Sequence, residues 1–217
     1  CIRDRAIMAH MGLSGYSQQH SDVGGYTTVL TYDDYNITRS PELLGRWGEL
    51  AAVSSAVFRS HEGNIPGVNA QFYSNQSTYA WYAYSARMFA SLAAYRRKIL
   101  TTECEPRGWP LLRPAAMYHT KDSKARAIQY ESFYLGPSLY VAPVLDPDTF
   151  ELEVYLPGKG WGYRHVWSNM TFEGGQSVQV AAPYGQPAVF VVGGKEMPEL
   201  ESFLEFVERE KGTQPRA

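Results

Sequence analysis

The chain lacks most of the sequence features by which metal, nucleotide and membrane proteins are identified. Its two cysteines stand at positions 1 and 104, which excludes a disulfide scaffold and a CxxC metal site. It contains no P-loop, no HExxH pair and no dinucleotide glycine fingerprint. No apolar run approaches the roughly 18 residues that span a bilayer, and the first residues lack the order of a signal peptide. We therefore expect no metal, no cofactor and no membrane partner.

A strong charge of one sign is also missing. The 20 basic and 22 acidic side chains give a net charge of −2, so there is no broad attraction for nucleic acid. Three acceptor sequons for N-glycosylation occur, at Asn36, Asn75 and Asn169, and they matter only in a secreted chain. We expect a soluble chain, and the sequence leaves open whether it is cytoplasmic or secreted and whether it forms an oligomer.

Aromatic side chains are abundant. The chain has 16 Tyr, 9 Phe and 5 Trp, together 14% of its residues. Aromatic rings stack on the apolar faces of sugars, but they also build ordinary cores, and composition alone favours the core. The first residue is Cys1 rather than Met, so we expect a piece of a longer protein.

Two helical patterns occupy the first half of the chain. Ser40 and Pro41 indicate the start of the first helix. Its buried face is predicted to contain Leu43, Trp47, Leu50, Ser54 and Val57. Gly45 and Gly48 weaken this helix, so contact with a neighbour must hold it. A second helix is predicted to open at Ser77 and to end at Gly108. Its buried face contains Trp81, Tyr84, Met88, Leu92, Tyr95 and Ile99.

The segments that follow predict a change of fold class. Residues 111–119 read as a short buried strand and residues 125–134 as a helix, which suits the end of an α/β unit. Past residue 136 come short β-branched and aromatic runs at roughly ten-residue spacing. They are SLYVAPVL, ELEVYLP, YRHVW, SVQVAAP and AVFVVGG. We therefore expect an α/β unit at residues 1–135 and an antiparallel β-sandwich at 136–217, with an amphipathic helix at 199–210 lying on the sandwich.

The stretch HSDVGGYTTV, residues 20–29, allows two interpretations. A surface turn is one, because Asp, Ser and Gly tolerate turn geometry. The mouth of a barrel strand is the other, because such segments carry ligand contacts and glycine lets the backbone approach closely. The residues of this stretch alone favour the turn.

Six motifs in fixed order resemble glycoside hydrolase family 31, the retaining α-glycosidases. They are HSDVGGY, ELLGRW, FRSHEGN, LLRPAAMYH, YLGPSLYVAPVL and VYLPGKGW. Within the family, GGY and HEGN-x-PG-x-N-x-QF resemble the sulfoquinovosidases, which cleave α-glycosides of a 6-sulfonated glucose. The resemblance implies the C-terminal portion of a (β/α)8 TIM barrel, with its last two strands in residues 1–135, and then an antiparallel β-sandwich domain.

The resemblance also implies roles for single residues. Asp22, Tyr26 and His61 would bind the carbohydrate substrate in one sugar-sized hollow, with the Tyr26 hydroxyl on the sulfonate. His20 and Arg59 would support them, Arg59 as an ion-pair partner of Asp22. No catalytic residue is expected in this chain, because the nucleophile and acid/base aspartates of the family lie upstream of the matching segment. An Arg, a Trp and a Gln that bind the sulfonate in the family are expected upstream as well.

Several functions stay open at this point. The favoured hypothesis is a part of a retaining α-glycosidase that is inactive alone and acts on α-sulfoquinovosides when complete. A neutral-sugar α-glucosidase or α-xylosidase of the same family is the first alternative. A non-catalytic module that binds carbohydrate or buttresses the barrel is the second, and a fragment that does not fold alone is the third.

Overall fold

A computed structural model describes residues 8–31, 36–54, 56–194, 197–213 and 215. Cys1 lies outside these ranges. The α-helices are α1 (Met8–Met11), α2 (Pro41–Ala52), α3 (Gln76–Ser91), α4 (Ala93–Ile99), α5 (Glu105–Arg107), α6 (Ser123–Ala127) and α7 (Glu201–Glu210). Within the described ranges, none of them is both long and apolar enough to cross a membrane.

Helix α2 begins as its sequence predicts. Ser40 is the N-cap and accepts a hydrogen bond from the amide of Leu43, and Pro41 occupies the first helical position. Trp47 and Leu50 are buried. The helix ends at Ala52, earlier than its apolar spacing indicated, and Val57 is therefore not on the buried face but 52% exposed.

The two glycines of α2 permit close contact with α3. A Cβ on Gly45 would lie 2.3 Å from the ring of Trp81, and one on Gly48 would lie 3.1 Å from Ser85 Oγ. The glycines cost helix propensity, but they let the indole of Trp81 rest on the α2 backbone. The prediction that a neighbour holds this helix is confirmed.

Helix α3 starts one residue before the predicted Ser77. Asn75 accepts from the Thr78 amide and Thr78 Oγ1 from the Asn75 amide, which forms a capping box. The six residues of the predicted face are all at most 1% exposed: Trp81, Tyr84, Met88, Leu92, Tyr95 and Ile99. Leu92 interrupts the helix, α4 continues it through a π-turn at Leu100–Cys104, and Gly108 ends α5 with a φ of 67°.

The second half of the chain is mostly antiparallel sheet. The strands are β1 (Leu112–Arg113), β2 (Phe133–Leu135), β3 (Leu139–Ala142), β4 (Glu151–Leu156), β5 (Gly162–His165), β6 (Thr171–Glu173), β7 (Gln176–Ala181) and β8 (Ala188–Val192). Six of them form a sheet in the order β1-β2-β3-β8-β5-β6, and β4 pairs with β7 in a second sheet. The predicted antiparallel β structure is confirmed.

Alternating side chains give the larger sheet two covered faces. One face carries Tyr134, Tyr140 and Tyr163 and packs against Val154 and Val180 of the smaller sheet. The other face includes residues such as Phe133, Leu139 and Val189 and packs against the helices in one continuous core. The aromatic excess therefore serves mainly the core, as composition favoured.

The structure differs from expectation between residues 111 and 135. The predicted strand at 111–119 is only β1 and a 3-10 turn, and the predicted helix at 125–134 is only α6 followed by β2. β2 pairs with β3 across the predicted division at 135/136, with Phe133 opposite Val141. Periodicity does not distinguish a helix from a strand in such short apolar runs. Here, pairing with neighbouring strands determines which form the segment adopts.

Helix α7 was expected to lie on the sandwich. Its buried face carries Phe203, Phe206 and Val207, and Phe206 contacts Tyr84 of α3 with ring centroids 5.3 Å apart. The preceding 3-10 turn (Pro198–Leu200) reaches α4 through an ion pair of Glu199 with Lys98 at 3.5 Å. The helix therefore joins the helical layer to the sheet core rather than covering the sandwich alone.

A buried ion pair ties α2 to the loops of the β part. Arg46 Nη1 lies 3.0 Å from Glu49 Oε2, and both side chains are at most 3% exposed. Arg46 also donates to the carbonyls of Thr149 (2.8 Å) and Ala182 (3.0 Å). Burial raises the pKa of Glu49, although Arg46 acts in the opposite direction. Both Nη atoms of Arg46 and both carboxylate oxygens of Glu49 are hydrogen-bonded, as a buried charge requires, while Arg46 Nε has no partner among the described residues.

The exchange Glu49→Gln should lower the free energy of unfolding by about 3–5 kcal/mol, because the Arg46 charge stays buried without its partner. Urea unfolding followed by circular dichroism measures the change. Glu205→Gln on the exposed face of α7 is the matched control and should cost less than about 0.5 kcal/mol. Equal effects of the two exchanges would contradict the proposed contribution of the Arg46–Glu49 pair to the free energy of unfolding.

A second prediction concerns pH. His165 is 2% exposed, its Nδ1 lies 3.0 Å from Ser168 Oγ, and burial lowers its pKa to about 4. The unfolded chain therefore binds more protons than the native chain between about pH 6.5 and 4, and stability should fall as the pH falls through this window, by up to about 3 kcal/mol. His165→Asn should flatten this dependence in urea titrations, and an unchanged slope would show that His165 is not the group responsible.

Candidate functional site

Two chain segments on either side of α2 run next to each other. Val23 forms a parallel bridge with Ser60, and the Val23 amide donates to the carbonyl of Arg59 at 2.8 Å. Each segment continues beyond this bridge into a polar loop. The two polar motifs of the sequence, at residues 20–29 and 58–64, are thereby brought to one edge of the molecule, which we call the rim.

Tyr26 and His61 meet at the rim. Their ring centroids are 4.7 Å apart and the planes are inclined by 71°. The Gly63 amide donates to His61 Nδ1 at 3.0 Å, so Nδ1 is an acceptor and the proton of the neutral ring is on Nε2. Tyr26 is 55% exposed, and within the described ranges no hydrogen bond of its hydroxyl is seen. The pair thus presents two groups to an incoming ligand.

Asp22 is held by its two predicted neighbours. Its Oδ1 accepts from Arg59 Nη2 at 2.8 Å and lies 3.2 Å from His20 Nε2. Burial opposes ionisation, but the hydrogen bonds from Arg59 and His20 outweigh it and hold the pKa of Asp22 below its usual value. The carboxylate is therefore a hydrogen-bond acceptor at neutral pH. The Arg59 side chain is 62% exposed, so the predicted ion pair exists at the surface and water screens it.

A small hollow adjoins the rim. A hollow of about 240 Å³ lies beside Tyr26, but residues of 24–28 and 37–39 line it rather than Asp22 or His61. Tyr26 therefore borders this hollow, while Asp22 and His61 lie on the same edge of the molecule.

Arg39 is the residue at the rim that sequence reasoning missed. Its guanidinium is almost fully buried and donates to backbone carbonyls of three segments: His61 at 2.7 Å, Ala70 at 2.6 Å and Gly25 at 3.3 Å. It also donates to Gln71 Oε1 at 2.6 Å. Burial lowers the pKa of Arg39. A planar cation with five donors suits such a junction.

The packing of Arg39 and Trp47 explains the two glycines of the motif. A Cβ on Gly24 would lie 2.5 Å from Arg39 Cδ, and one on Gly25 would lie 3.0 Å from the Trp47 ring. Both glycines have a positive φ, of 89° and 83°, where other residues are strained. A surface turn would explain the φ values but not the contact with a buried arginine, so this stretch is more than a turn.

Side-chain amides fasten the loop that carries His61. The Asn64 side chain pairs with the amide and carbonyl of Thr28 at 2.7 and 3.0 Å. Asn69 accepts from the Arg39 amide at 2.9 Å and donates to Thr28 Oγ1 at 2.7 Å. The spacing of these amides in HEGN-x-PG-x-N-x-QF was the sequence feature that pointed to this network, but the sequence does not identify their hydrogen-bond partners.

The rim has the chemistry of a binding surface. It offers an ionised carboxylate, an imidazole N–H and a phenol, which together accept from and donate to hydroxyl groups. In the part of the chain that the structure describes, no group of three His, Cys, Asp or Glu is arranged to hold a metal ion. Both carboxylates of the rim are engaged within the chain, since Asp22 accepts from Arg59 and Glu62 accepts from the Tyr73 hydroxyl.

Comparisons with known proteins agree with one another. Residues 108–195 match the model of the glycosyl hydrolase family 31 C-terminal domain. The chain is 35% identical over 179 residues to a sulfoquinovosidase of Agrobacterium fabrum, covering 82% of this chain and 26% of that protein. The chain thus spans about a quarter of the length of this relative.

Solved structures give the same relationship. A GH31 family sulfoquinovosidase from E. rectale, in complex with an aza-sugar inhibitor, matches with a TM-score of 0.78 at 32% identity, covering 91% of this chain and 28% of that one. A GH31 α-xylosidase from Xanthomonas citri matches with a TM-score of 0.73 at 29% identity, covering 89% of this chain and 21% of that one.

The exchange Gly24→Ala tests whether Arg39 organises the rim. Gly15 is the matched control, because its φ of 92° is similar but a Cβ there would meet nothing within 4 Å. Gly15→Ala should cost about 1 kcal/mol from backbone strain alone. Gly24→Ala should cost about 2 kcal/mol more, because the new methyl group displaces the Arg39 side chain. Urea unfolding measures both, and equal losses would remove the steric role assigned to Arg39.

Proposed function

Because the chain belongs to glycoside hydrolase family 31, we propose that it is the C-terminal part of a retaining α-glycosidase and that the complete protein hydrolyses α-sulfoquinovosides. The observation that carries the proposal is the pair of Tyr26 and His61, 4.7 Å apart on adjoining chain segments. The similarity to sulfoquinovosidases over most of this chain supports the same substrate class.

In this proposal the first part of the chain supplies the last two strands of a (β/α)8 barrel. The parallel bridge between Val23 and Ser60 supports this, because α2 lies between the two bridged residues and α3 follows the second. Strand, helix and parallel strand is the repeating unit of such barrels, and ligands bind at the carboxyl ends of the strands. The rim lies just after the bridge, at those ends.

We place the division between barrel and β domain before β1 rather than after residue 135. β1 and β2 pair within the six-stranded sheet, and the family model of the C-terminal domain begins at residue 108. The C-terminal β domain packs on the helices through a shared apolar core and through the Arg46–Glu49 pair. In this proposal the β domain holds α2, and with it the rim, in place.

The rim residues receive separate tasks. The ionised Asp22 accepts hydrogen bonds from ring hydroxyls and stabilises the positive charge of the oxocarbenium-like transition state. His61 donates from Nε2 to a hydroxyl, because its Nδ1 already accepts from the Gly63 amide. Arg59 and His20 orient Asp22 and keep it ionised. The nucleophile and the acid/base carboxylate belong to the upstream barrel strands.

Tyr26 determines the preference of the site for a charged over a neutral sugar. Its hydroxyl is free to donate to a sulfonate oxygen, directly or through water, whereas a phenylalanine offers only an apolar wall. A neutral-sugar α-xylosidase or α-glucosidase is the second candidate, favoured by the match to the Xanthomonas citri α-xylosidase. Turnover of aryl α-sulfoquinovoside against aryl α-glucoside by the full-length protein separates them, and a preference for the glucoside would remove the sulfonate assignment.

The exchange Tyr26→Phe in the full-length protein should lower kcat/KM for the aryl α-sulfoquinovoside by about 5- to 150-fold, equivalent to about 1–3 kcal/mol for a hydrogen bond to a charged group. The loss for the neutral glucoside should be smaller than twofold. Tyr79→Phe is the matched control, since Tyr79 is 54% exposed on α3, and it should change neither. Equal losses on both substrates would contradict the role of Tyr26.

A further inference from the structure

The β part has a hollow of its own, away from the rim residues. It measures about 630 Å³ and lies between residues 118–122, which follow β1, and residues 155–161, which join β4 to β5. Neither Asp22 nor Tyr26 nor His61 lines it. The volume is sufficient for a monosaccharide and falls in the range of small-molecule sites.

Trp161 forms an aromatic wall of this hollow. It is 37% exposed, and its ring stands edge-on to His119 with centroids 4.5 Å apart. The indoles of Trp47, Trp81 and Trp167 donate to Ser21, Glu49 and Pro187. For Trp161 no such bond is seen among the described residues, so its N–H and the exposed part of its ring are available to a ligand. An open indole face is a suitable surface for the apolar face of a sugar ring.

A hydrogen-bond chain behind this wall sets the tautomer of His119. Tyr163 donates its only hydroxyl proton to the carbonyl of Pro157 at 2.7 Å, so at its 2.7 Å contact with Tyr134 it must accept. Tyr134 has then used its proton and accepts from His119 Nε2, also at 2.7 Å. The proton of the neutral imidazole is on Nε2, and Nδ1 is left as an acceptor.

The acceptor Nδ1 of His119 lies beside Gly158. A Cβ on this glycine would be 2.5 Å from Nδ1, so glycine preserves the space next to the nitrogen. Burial lowers the pKa of His119, against the effect of Asp122, which keeps the ring neutral and the acceptor intact. A hydroxyl group of a ligand is the donor that fits it.

The net charge around the hollow is positive. Lys121 and Lys159 line it and are exposed, and neither has a carboxylate partner within the described ranges. Asp122 is engaged within the protein: Oδ1 accepts from the amides of Lys124 and Ala125, and Oδ2 accepts from Tyr155 Oη and the Gly158 amide. Asp122 keeps its negative charge, because these hydrogen bonds outweigh the effect of burial and hold its pKa below the usual value, but the two exposed ammonium groups outnumber it and leave the hollow with a net positive charge.

We propose that this hollow is a second carbohydrate site and that it binds a sugar carrying a negatively charged substituent. The pyranose ring stacks on Trp161, a hydroxyl donates to His119 Nδ1, and Lys121 and Lys159 pair with the anionic group. The site does not rest on the proposed catalytic function, because binding here involves no residue of the rim.

The test uses the full-length protein and the ¹⁵N-labelled indole signals of its tryptophans, with the signals of Trp161 and Trp109 assigned by Trp161→Phe and Trp109→Phe. Glucose 6-sulfate, glucose and inorganic sulfate are titrated separately. We expect glucose 6-sulfate to shift the Trp161 signal in a saturable manner with a Kd of about 1 mM, and glucose and sulfate to bind at least fivefold more weakly. The signal of Trp109, which does not line the hollow, is the internal control and should not move.

The double exchange Lys121→Gln with Lys159→Gln should reduce the affinity for glucose 6-sulfate to that for glucose. Lys124→Gln is the matched control, because Lys124 lies nearby over the Tyr155 ring at 5.3 Å but does not line the hollow, and it should change Kd less than twofold. The lysines are exposed, so the variants should fold, and their ¹⁵N spectra show whether they do.

A measurement on the unaltered chain supplements the variants. Two-bond ¹H–¹⁵N correlations of the imidazoles should give His119 a protonated Nε2 and an unprotonated Nδ1, and Nδ1 should shift with glucose 6-sulfate but not with sulfate. Sulfate binding as tightly as glucose 6-sulfate would reduce the site to a pair of lysines that attract anions. No shift of Trp161 with any probe, or a proton on Nδ1, would overturn the proposal.

Discussion

The rim depends on one buried cation. The guanidinium of Arg39 reaches backbone carbonyls of three segments far apart in the chain and satisfies its donors almost wholly with neutral oxygens. A buried charge without such partners would lower the stability of the fold by several kcal/mol. The three segments are therefore held where their carbonyls accept hydrogen bonds from Arg39. Two glycines next to Tyr26 are the consequence, since larger residues would occupy the volume of Arg39 and Trp47.

Helix α2 connects the rim to the rest of the molecule. Its N-terminal cap follows Arg39 directly, its glycines admit Trp81 of α3, and its Arg46 and Glu49 bind loops of the β part. One short helix thus contacts the rim, the helical layer and the β domain. A change at the buried ion pair is therefore expected to disturb the rim through packing, although no atom of the pair lies in it.

The tyrosines of the β part show how a polar aromatic group is buried at low cost. Each hydroxyl on the inner face of the sheet finds a partner, and the chain from His119 through Tyr134 and Tyr163 ends on the carbonyl of Pro157. Satisfied networks of this kind orient their members as well as stabilising them. Here the orientation reaches the surface, because it leaves the Nδ1 atom of His119 as an acceptor beside an exposed tryptophan.

The sequence alone determined what depends on local periodicity and caps: the start of α2, the six-residue buried face of α3 and α4, and most strands after residue 138. Motif resemblance supplied Asp22, Tyr26 and His61 as candidates, but not a cavity around them. Only the tertiary structure decided the partners of Arg39, which lie up to 32 positions away, and the pairing of β2 with β3. Hydrogen bonds and strand pairs between distant segments produce no periodic pattern in the sequence. They depend on which groups the fold brings together and not on the residues adjacent in the chain.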